Sequence, residues 1–281
     1  MRDLNICLSA LLFLILTIGL TGCSDDPASV DPEDAPQPPT FEEIEPDFSI
    51  FDEAGFQAQI NSTEQSEDRP EFSSMLRSGM EQESAYEAAA WYAYIANSLF
   101  QSAGMFPSLF FNEQMWGDPE IQGDTWVWEY SYSFEGESLT MRVTSTSVNN
   151  SQNWELTYSY SGEDEDFENA LLLSAQVNHD GSGGSWQFHD MFEPDAAPIF
   201  QVDYEIENDI TTLLDLFYDE NGERFLFESD GTTSTLRWWE SSTVESELGW
   251  NNDTFEGYIE SDQYNNGIRT CWDSDFQNTE C

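Results

Sequence analysis

Asp124-Thr125-Trp126-Val127-Trp128-Glu129-Tyr130-Ser131-Tyr132-Ser133-Phe134 decides the fold. Large aromatic side chains fall on every second position, with Val127, Glu129, Ser131 and Ser133 between them. A period of two places one set on each face of an extended strand. The turn Glu135-Gly136-Glu137 follows, then Leu139, Met141 and Val143 with the same alternation, then Trp154, Leu156, Tyr158 and Tyr160. Further alternating runs lie at 170–178, 185–190, 199–206, 211–219, 223–229, 233–240, 254–260 and 267–272. Asn221-Gly222 and Asp230-Gly231 supply left-handed residues for tight hairpins. About eleven strands result, and the short turns between them give an antiparallel meander rather than a parallel sheet.

Upstream of the meander the period changes. Asp68-Arg69-Pro70-Glu71 reads as a helix start, with the helix running to Ser78-Gly79. Ser84-Ala85-Tyr86-Glu87 is a second capping box, and Gly104 with Pro107 makes a stop. In that helix Tyr86, Ala89, Ala90, Ala93, Ala96, Asn97 and Phe100 form one stripe and Trp91, Ile95 and Leu99 its neighbour, so it should be buried on more than one side. A third short helix is expected over Ser108–Met115. A long meander curls or closes. The expected fold is therefore α+β, with N-terminal helices packed on a long curved antiparallel meander, half-barrel or barrel. Residues 49–123 form the helical segment, joined in one domain with the meander at 124–281.

Acidity sets the outer limits on function. The chain of 281 residues has 56 Asp and Glu against 7 Lys and Arg, a formal net charge of −49. All seven cations are arginine. Nucleic acid is excluded as a partner, because phosphate recognition needs a basic surface. Docking on an anionic membrane through basic residues is excluded likewise. High charge can signal disorder, but disordered chains are poor in aromatics, and Phe, Trp and Tyr make up 15% of this one.

The first residues read as a processing signal. Ala10–Leu20 is an apolar run shorter than the roughly twenty residues a membrane helix needs, and it ends at Leu20-Thr21-Gly22-Cys23. These four residues resemble the lipobox of bacterial lipoproteins. The resemblance covers residues 1–23 and implies that 1–22 are removed, that Cys23 is acylated, and that the chains anchor the protein to a membrane. Ser24-Asp25-Asp26 resembles the sorting pattern of outer-membrane lipoproteins, with surface exposure as a further expectation. The acidic, Pro-rich stretch to residue 48 reads as an extended tether. With Cys7 removed and Cys23 lipidated, Cys271 and Cys281 remain, and an exported chain with an even remainder points to a disulfide. The absence of lysine beside so many acids resembles the proteins of high-salt organisms.

Candidate sites are few. His179 and His189 bracket Asp180-Gly181-Ser182-Gly183-Gly184. A hairpin centred near Ser182 sets His179 opposite Ser185 and His189 opposite about Ala175, roughly 13 Å apart at ~3.3 Å per residue, so the two share no metal. No Gly-x-Ser-x-Gly is present. Asp219-Glu220-Asn221-Gly222-Glu223 and Asp273-Ser274-Asp275 lack the calcium-loop pattern, leaving weak cation binding and no cofactor. The scarce arginines carry more information. A two-residue turn at Asp230-Gly231 sets Arg224 opposite Arg237, with Asp219 opposite Arg224 and Trp239 on the same face. The cluster reads either as a structural ion-pair group or as a site for an anion. The stripe Trp126, Trp128, Tyr130, Tyr132 and Phe134 reads as core against the helix, as the lining of an apolar cavity, or as an exposed partner surface.

The expected function is a lipid-anchored outer-membrane lipoprotein, non-enzymatic, acting as a binding or envelope-interaction module for an envelope protein or glycan. The alternative is a carrier of an apolar ligand in the concave face, and a hydrolase stands third. In outline the architecture is similar to the half-barrels of bacterial lipoprotein-localisation carriers, an analogy of shape that supports no function.

Overall fold

Among the described residues, fourteen antiparallel strands follow one another in one continuous meander. This computed structural model describes residues 35–36, 44, 46–54 and 84–110 (of 52–54 and 102–110 the backbone alone), 117–134, 136–162, 166–190, 193, 197–218, 222–240 and 243–281. Residues Ala35–Cys281 form one compact unit. Cys23 with the lipobox, and the helix expected over 69–79, lie outside the described residues.

The strands are β1 (Glu120–Gln122), β2 (Thr125–Phe134), β3 (Glu137–Val148), β4 (Ser151–Ser161), β5 (Asp166–Asn178), β6 (Gly183–Phe188) and β7 (Phe200–Glu207). They continue as β8 (Ile210–Tyr218), β9 (Glu223–Ser229), β10 (Thr233–Glu240), β11 (Thr243–Asn251), β12 (Gly257–Ser261), β13 (Thr270–Trp272) and β14 (Asn278–Thr279). Each pairs with its sequence neighbours, so β1 and β14 are the two edges and the curved sheet is not closed. The fold is β-dominated with one long helix among the described residues, α1 (Ala85–Phe110).

α1 begins where its capping residues place it. The Ser84 hydroxyl accepts the Glu87 N–H at 3.2 Å, satisfying one of the helix's first four amides. A second comes from the far end of the chain: the Asn278 side-chain oxygen accepts the Ala85 N–H at 2.8 Å. The C-terminal end differs from expectation. The helix passes through Gly104 and Pro107 to Phe110. A proline inside a helix forfeits one hydrogen bond and costs ~3 kcal/mol, a penalty rather than a prohibition.

The core explains the alternation. Ala85, Ala88, Ala89, Ala90, Ala93 and Ala96 are all at most 3% exposed, and small side chains let the helix backbone lie close to the sheet. They join one continuous apolar cluster with Trp154, Leu156, Leu173, Trp186, Leu216, Phe227, Leu236, Leu248, Trp250, Ile259 and Trp272. Each such large side chain contributes about 1.5–3 kcal/mol on burial. The closest helix–sheet packing is on β12 and β13 rather than on β2. There the Tyr92 hydroxyl meets Ser261 Oγ at 2.8 Å, and Ser246 Oγ donates to Ser261 at 2.7 Å. This buried chain fixes the register of α1 on the sheet.

Two further elements differ from the sequence reading. Residues to 48 were expected to be tether, yet Ile44 and Phe48 are buried, and Ser49–Ala54 forms a 3-10 helix. Phe51 centres an aromatic cluster, 5.2 Å from Trp250, 5.8 Å from Tyr86 and 6.3 Å from Trp272. Burying those rings outweighs the solubility of the acids beside them. At the other terminus Cys271 and Cys281 form the expected disulfide, with Cα atoms 5.1 Å apart. It holds the segment from which Phe276 stacks on Tyr86 at 4.2 Å. The C-terminus thus clamps the start of α1.

Candidate functional site

With one face of the sheet turned to α1, the other face of the strands carries the side chains available for chemistry. Two adjacent cross-strand rows stand out, each following the hydrogen-bonded register from strand to strand. The first is Gln187–Gln201–Phe217–Arg224–Trp239–Val244, running from β6 to β11. The second is Ser185–Asp203–Asp215–Leu226–Arg237–Glu247–Glu260, from β6 to β12. At ~4.8 Å between strands, six positions span about 24 Å.

The arginines stand differently from the sequence expectation. Arg224 faces Trp239, and Arg237 faces Leu226, so the two guanidiniums are not opposite each other. The reason is the turn. Asp230 Oδ1 accepts the N–H groups of Thr232 and Thr233, closing a four-residue loop between Ser229 and Ser234 in place of a two-residue one. The register therefore moves by two residues, which preserves the faces and changes the partners. Asp219 lies outside the described residues, and Phe217 is the residue opposite Arg224.

Each guanidinium is engaged by carboxylates. Arg224 grips Asp215 with both ends of its fork, at 2.8 and 2.6 Å, and lies 4.9 Å from the centre of the Trp239 ring. Arg237 donates to Glu247 at 2.8 Å and to Glu228 at 2.6 Å. Arg269 extends the chain, donating to Glu260 at 2.8 Å and to Glu247 at 3.1 Å, with its guanidinium 4.0 Å over the Tyr258 ring. The Tyr258 hydroxyl also donates to Glu247, at 2.7 Å. The result is a line Glu228–Arg237–Glu247–Arg269–Glu260.

The electrostatics follow. Partial burial pushes the Glu247 carboxyl up, but donors and positive charge from Arg237, Tyr258 and Arg269 prevail and hold it below its ordinary value. Tyr258 is pushed up to about 12, first by burial and then by its bond to Glu247. At the edge of the rows, burial and the charge of Glu240 raise Glu223. Like charges also stand opposite one another, and neighbouring side chains relieve them. Asp203 faces Asp215, and Gln201 donates to Asp203 at 2.6 Å while Arg224 holds Asp215. An additional anion arriving here meets guanidiniums already occupied by acids.

No family model, curated protein or solved structure matches this chain. Its chemistry is therefore read from its own geometry.

The aromatic stripe is half-exposed rather than deeply buried. Trp126, Trp128, Tyr130 and Tyr132 are intermediate, and Phe134 is 58% exposed. Its inward-facing neighbours carry the burial instead, with Trp154 stacked on Trp128 at 5.7 Å. The histidines are further apart than the sequence reading placed them. His189 donates its amide to Leu172, and Phe188 pairs with Leu173, a register three residues from the expected one. Gly181 accepts a left-handed φ of 72° and Asp180 accepts the Ser182 amide, so the turn centres before Ser182. His179 and His189 then stand seven positions apart, about 23 Å at ~3.3 Å per residue. Among the described residues no three His, Cys, Asp or Glu side chains converge on a metal site. Asp273 is used locally, its Oδ1 accepting the amides of Asp275 and Gln277.

An open groove of about 440 Å³ lies at the β5–β8 end, lined by Gln176, Asn178, Gly183, Asp203, Glu205 and Leu213 among others. Sequence reasoning missed this groove and the Arg269–Glu247–Tyr258 group. Gly183, on its wall, is a point of close backbone approach between β6 and β7. A Cβ on Gly183 would stand 2.8 Å from the Tyr204 carbonyl oxygen.

Proposed function

We propose that this protein is a lipid-anchored outer-membrane lipoprotein, non-enzymatic, whose folded body presents the outward rows of its sheet to an uncharged envelope partner. The observation that carries the reading is the filling of the concave face. The alanines of α1 and the inward Trp, Leu and Phe side chains belong to one continuous core. A carrier of an apolar ligand needs that space for its cargo, so the carrier reading is the weaker one. The outward face is what remains for recognition.

The first row suits a glycan. Phe217, 38% exposed, and Trp239 offer ring faces on neighbouring positions either side of Arg224. Gln187 and Gln201 supply amide groups in line with them, joined by a 3.0 Å hydrogen bond that leaves each amide further capacity. Asp215 neutralises the one cation of the row, so an uncharged polar polymer meets no unpaired charge. Sheet strands hold these groups more rigidly than loops would. The anchor is Cys23, and Ser24-Asp25-Asp26 directs the protein to the outer membrane.

The test has two arms. Changing Cys23 to Ser should release the protein from membranes and abolish labelling by a fatty-acid analogue; retention without label defeats the anchor. Changing Phe217 or Trp239 to Ala should lower retention on immobilised envelope polysaccharide while leaving the melting temperature in place. Equal retention of both variants and the parent protein defeats the recognition surface.

A further inference from the structure

β2 is paired on one side along its whole length and on the other along less than a third. Its register with β3 runs unbroken from Thr125–Thr146 to Phe134–Glu137. On the opposite side β1 covers only Thr125, Trp126 and Val127. Among the described residues nothing pairs with the outer backbone edge of Trp128–Phe134, a stretch of seven residues and about 23 Å. Such an edge is a template for another strand. Proteins blunt open edges with proline, bulges or several charges. This one has no bulge, no proline and a single charged residue, Glu129. The opposite edge of the sheet is treated differently: β14 has two residues and is held by the Cys271–Cys281 disulfide.

We propose that the occupant of this edge is the same edge of a second copy, paired antiparallel about a two-fold axis at Ser131. Three features of the strand select that arrangement, and none depends on the reading of the outward rows. First, the lengths match. Centred on Ser131, Trp128 faces Phe134 of the other copy, and the strand then leaves at the Gly136 turn, where φ is 100°. Each copy's β1 pairs Thr125, Trp126 and Val127 alone, so the two pairings use different residues of β2. A pairing centred two residues earlier collides with β1, and one centred two residues later loses pairs. Second, the side chains are self-complementary. Trp128 meets Phe134 and Tyr130 meets Tyr132, so the two half-exposed stripes become one aromatic band on one face. Third, the charges avoid each other. Glu129 faces Ser133, and Ser131 faces Ser131, so no acid stands opposite an acid.

Global charge opposes the pairing. Two bodies of this acidity repel over about 30 Å in ~0.01 M salt but over about 3 Å at ~1 M. The dimer is therefore a high-salt species.

Sedimentation velocity of the mature protein in millimolar and molar sodium chloride tests this. A dimer should form in molar salt and dissociate on dilution of the salt. Ser131 is exposed, so Ser131→Glu and Ser131→Lys should both fold, and each sets like charges opposite each other on the axis. Both variants should weaken the dimer by about two- to fivefold, although they change net charge in opposite directions. Backbone amides within Trp128–Phe134 should gain hydrogen-exchange protection in the dimer. A protein that stays monomeric in molar salt overturns the proposal, including one whose β2 pairs only with a different envelope protein. So does a dimer that neither variant weakens. Weakening by Ser131→Glu alone also overturns it, since that is the signature of net charge rather than of edge pairing.

Discussion

Replacing Arg237 with Gln probes the outward ion-pair line at the cation that bridges Glu228 and Glu247. The guanidinium bridges Glu228 at 2.6 Å and Glu247 at 2.8 Å, with 30% of its side chain exposed. Exposed pairs contribute about 0.2–1 kcal/mol each, and these two are partly exposed, so together they stabilise by about 1–1.5 kcal/mol. The variant also leaves Glu228 and Glu247 without their shared cation, and it removes a long stem beside Leu226, its cross-strand partner at 9% exposure. A loss of about 1.5–2 kcal/mol at neutral pH is expected, equivalent to roughly 3–8 °C in melting temperature for a domain of this size. The pH dependence supplies the sharper check. Glu247 is held below its ordinary carboxyl value, so its contribution is complete above the unfolded-state value of about 4.3 and is lost as pH falls through the lower folded value. The difference between parent and variant should shrink below about pH 4 for the same reason. Urea titration followed by the fluorescence of the ten tryptophans measures both. An unchanged midpoint at pH 7, or a deficit that persists undiminished at pH 3, refutes the ionic account.

Two other perturbations follow from the same structure. Cys281→Ser should cost about 2–3 kcal/mol through the loss of a ten-residue closure and should raise hydrogen exchange at Ala85, whose amide is capped by Asn278; slow exchange at Ala85 in that variant contradicts the clamp. Melting temperature should rise from millimolar to molar sodium chloride as the charge of −49 is screened, with little effect of chelator at molar salt. Melting that ignores salt defeats this reading, and collapse on chelation at molar salt points to specific cation sites instead.

The alternation from Trp126 onward was legible because one face of the sheet joins the apolar core while the other is mostly polar. Where that contrast fades, so does the signal. β11 escaped the sequence reading because Ser246 occupies an inward position usually taken by an apolar residue, and Gly249 interrupts the strand. The structure supplies both reasons: Ser246 bonds Ser261 beneath Tyr92, and the ring of Tyr258 occupies the space a Cβ on Gly249 would take. Without β11 the Glu247–Arg269–Tyr258 group could not be assembled. The arginine register missed by two residues because an aspartate-capped loop has four residues where Asp-Gly alone reads as a two-residue turn. The end of α1 was misplaced because Gly104 and Pro107 are local penalties that weaken a helix without forbidding it. Ile44 and Phe48 were assigned to the tether on composition, although their own side chains join the core.

Native mass spectrometry of the purified protein puts the central claim, an inward face packed into one continuous core, to its most direct test. The expected spectrum contains the mature chain carrying only the acyl groups on Cys23, with no further lipid retained. A stoichiometric second lipid that survives desolvation and is lost when inward residues such as Trp154 or Trp186 are altered would contradict the account and restore the apolar carrier.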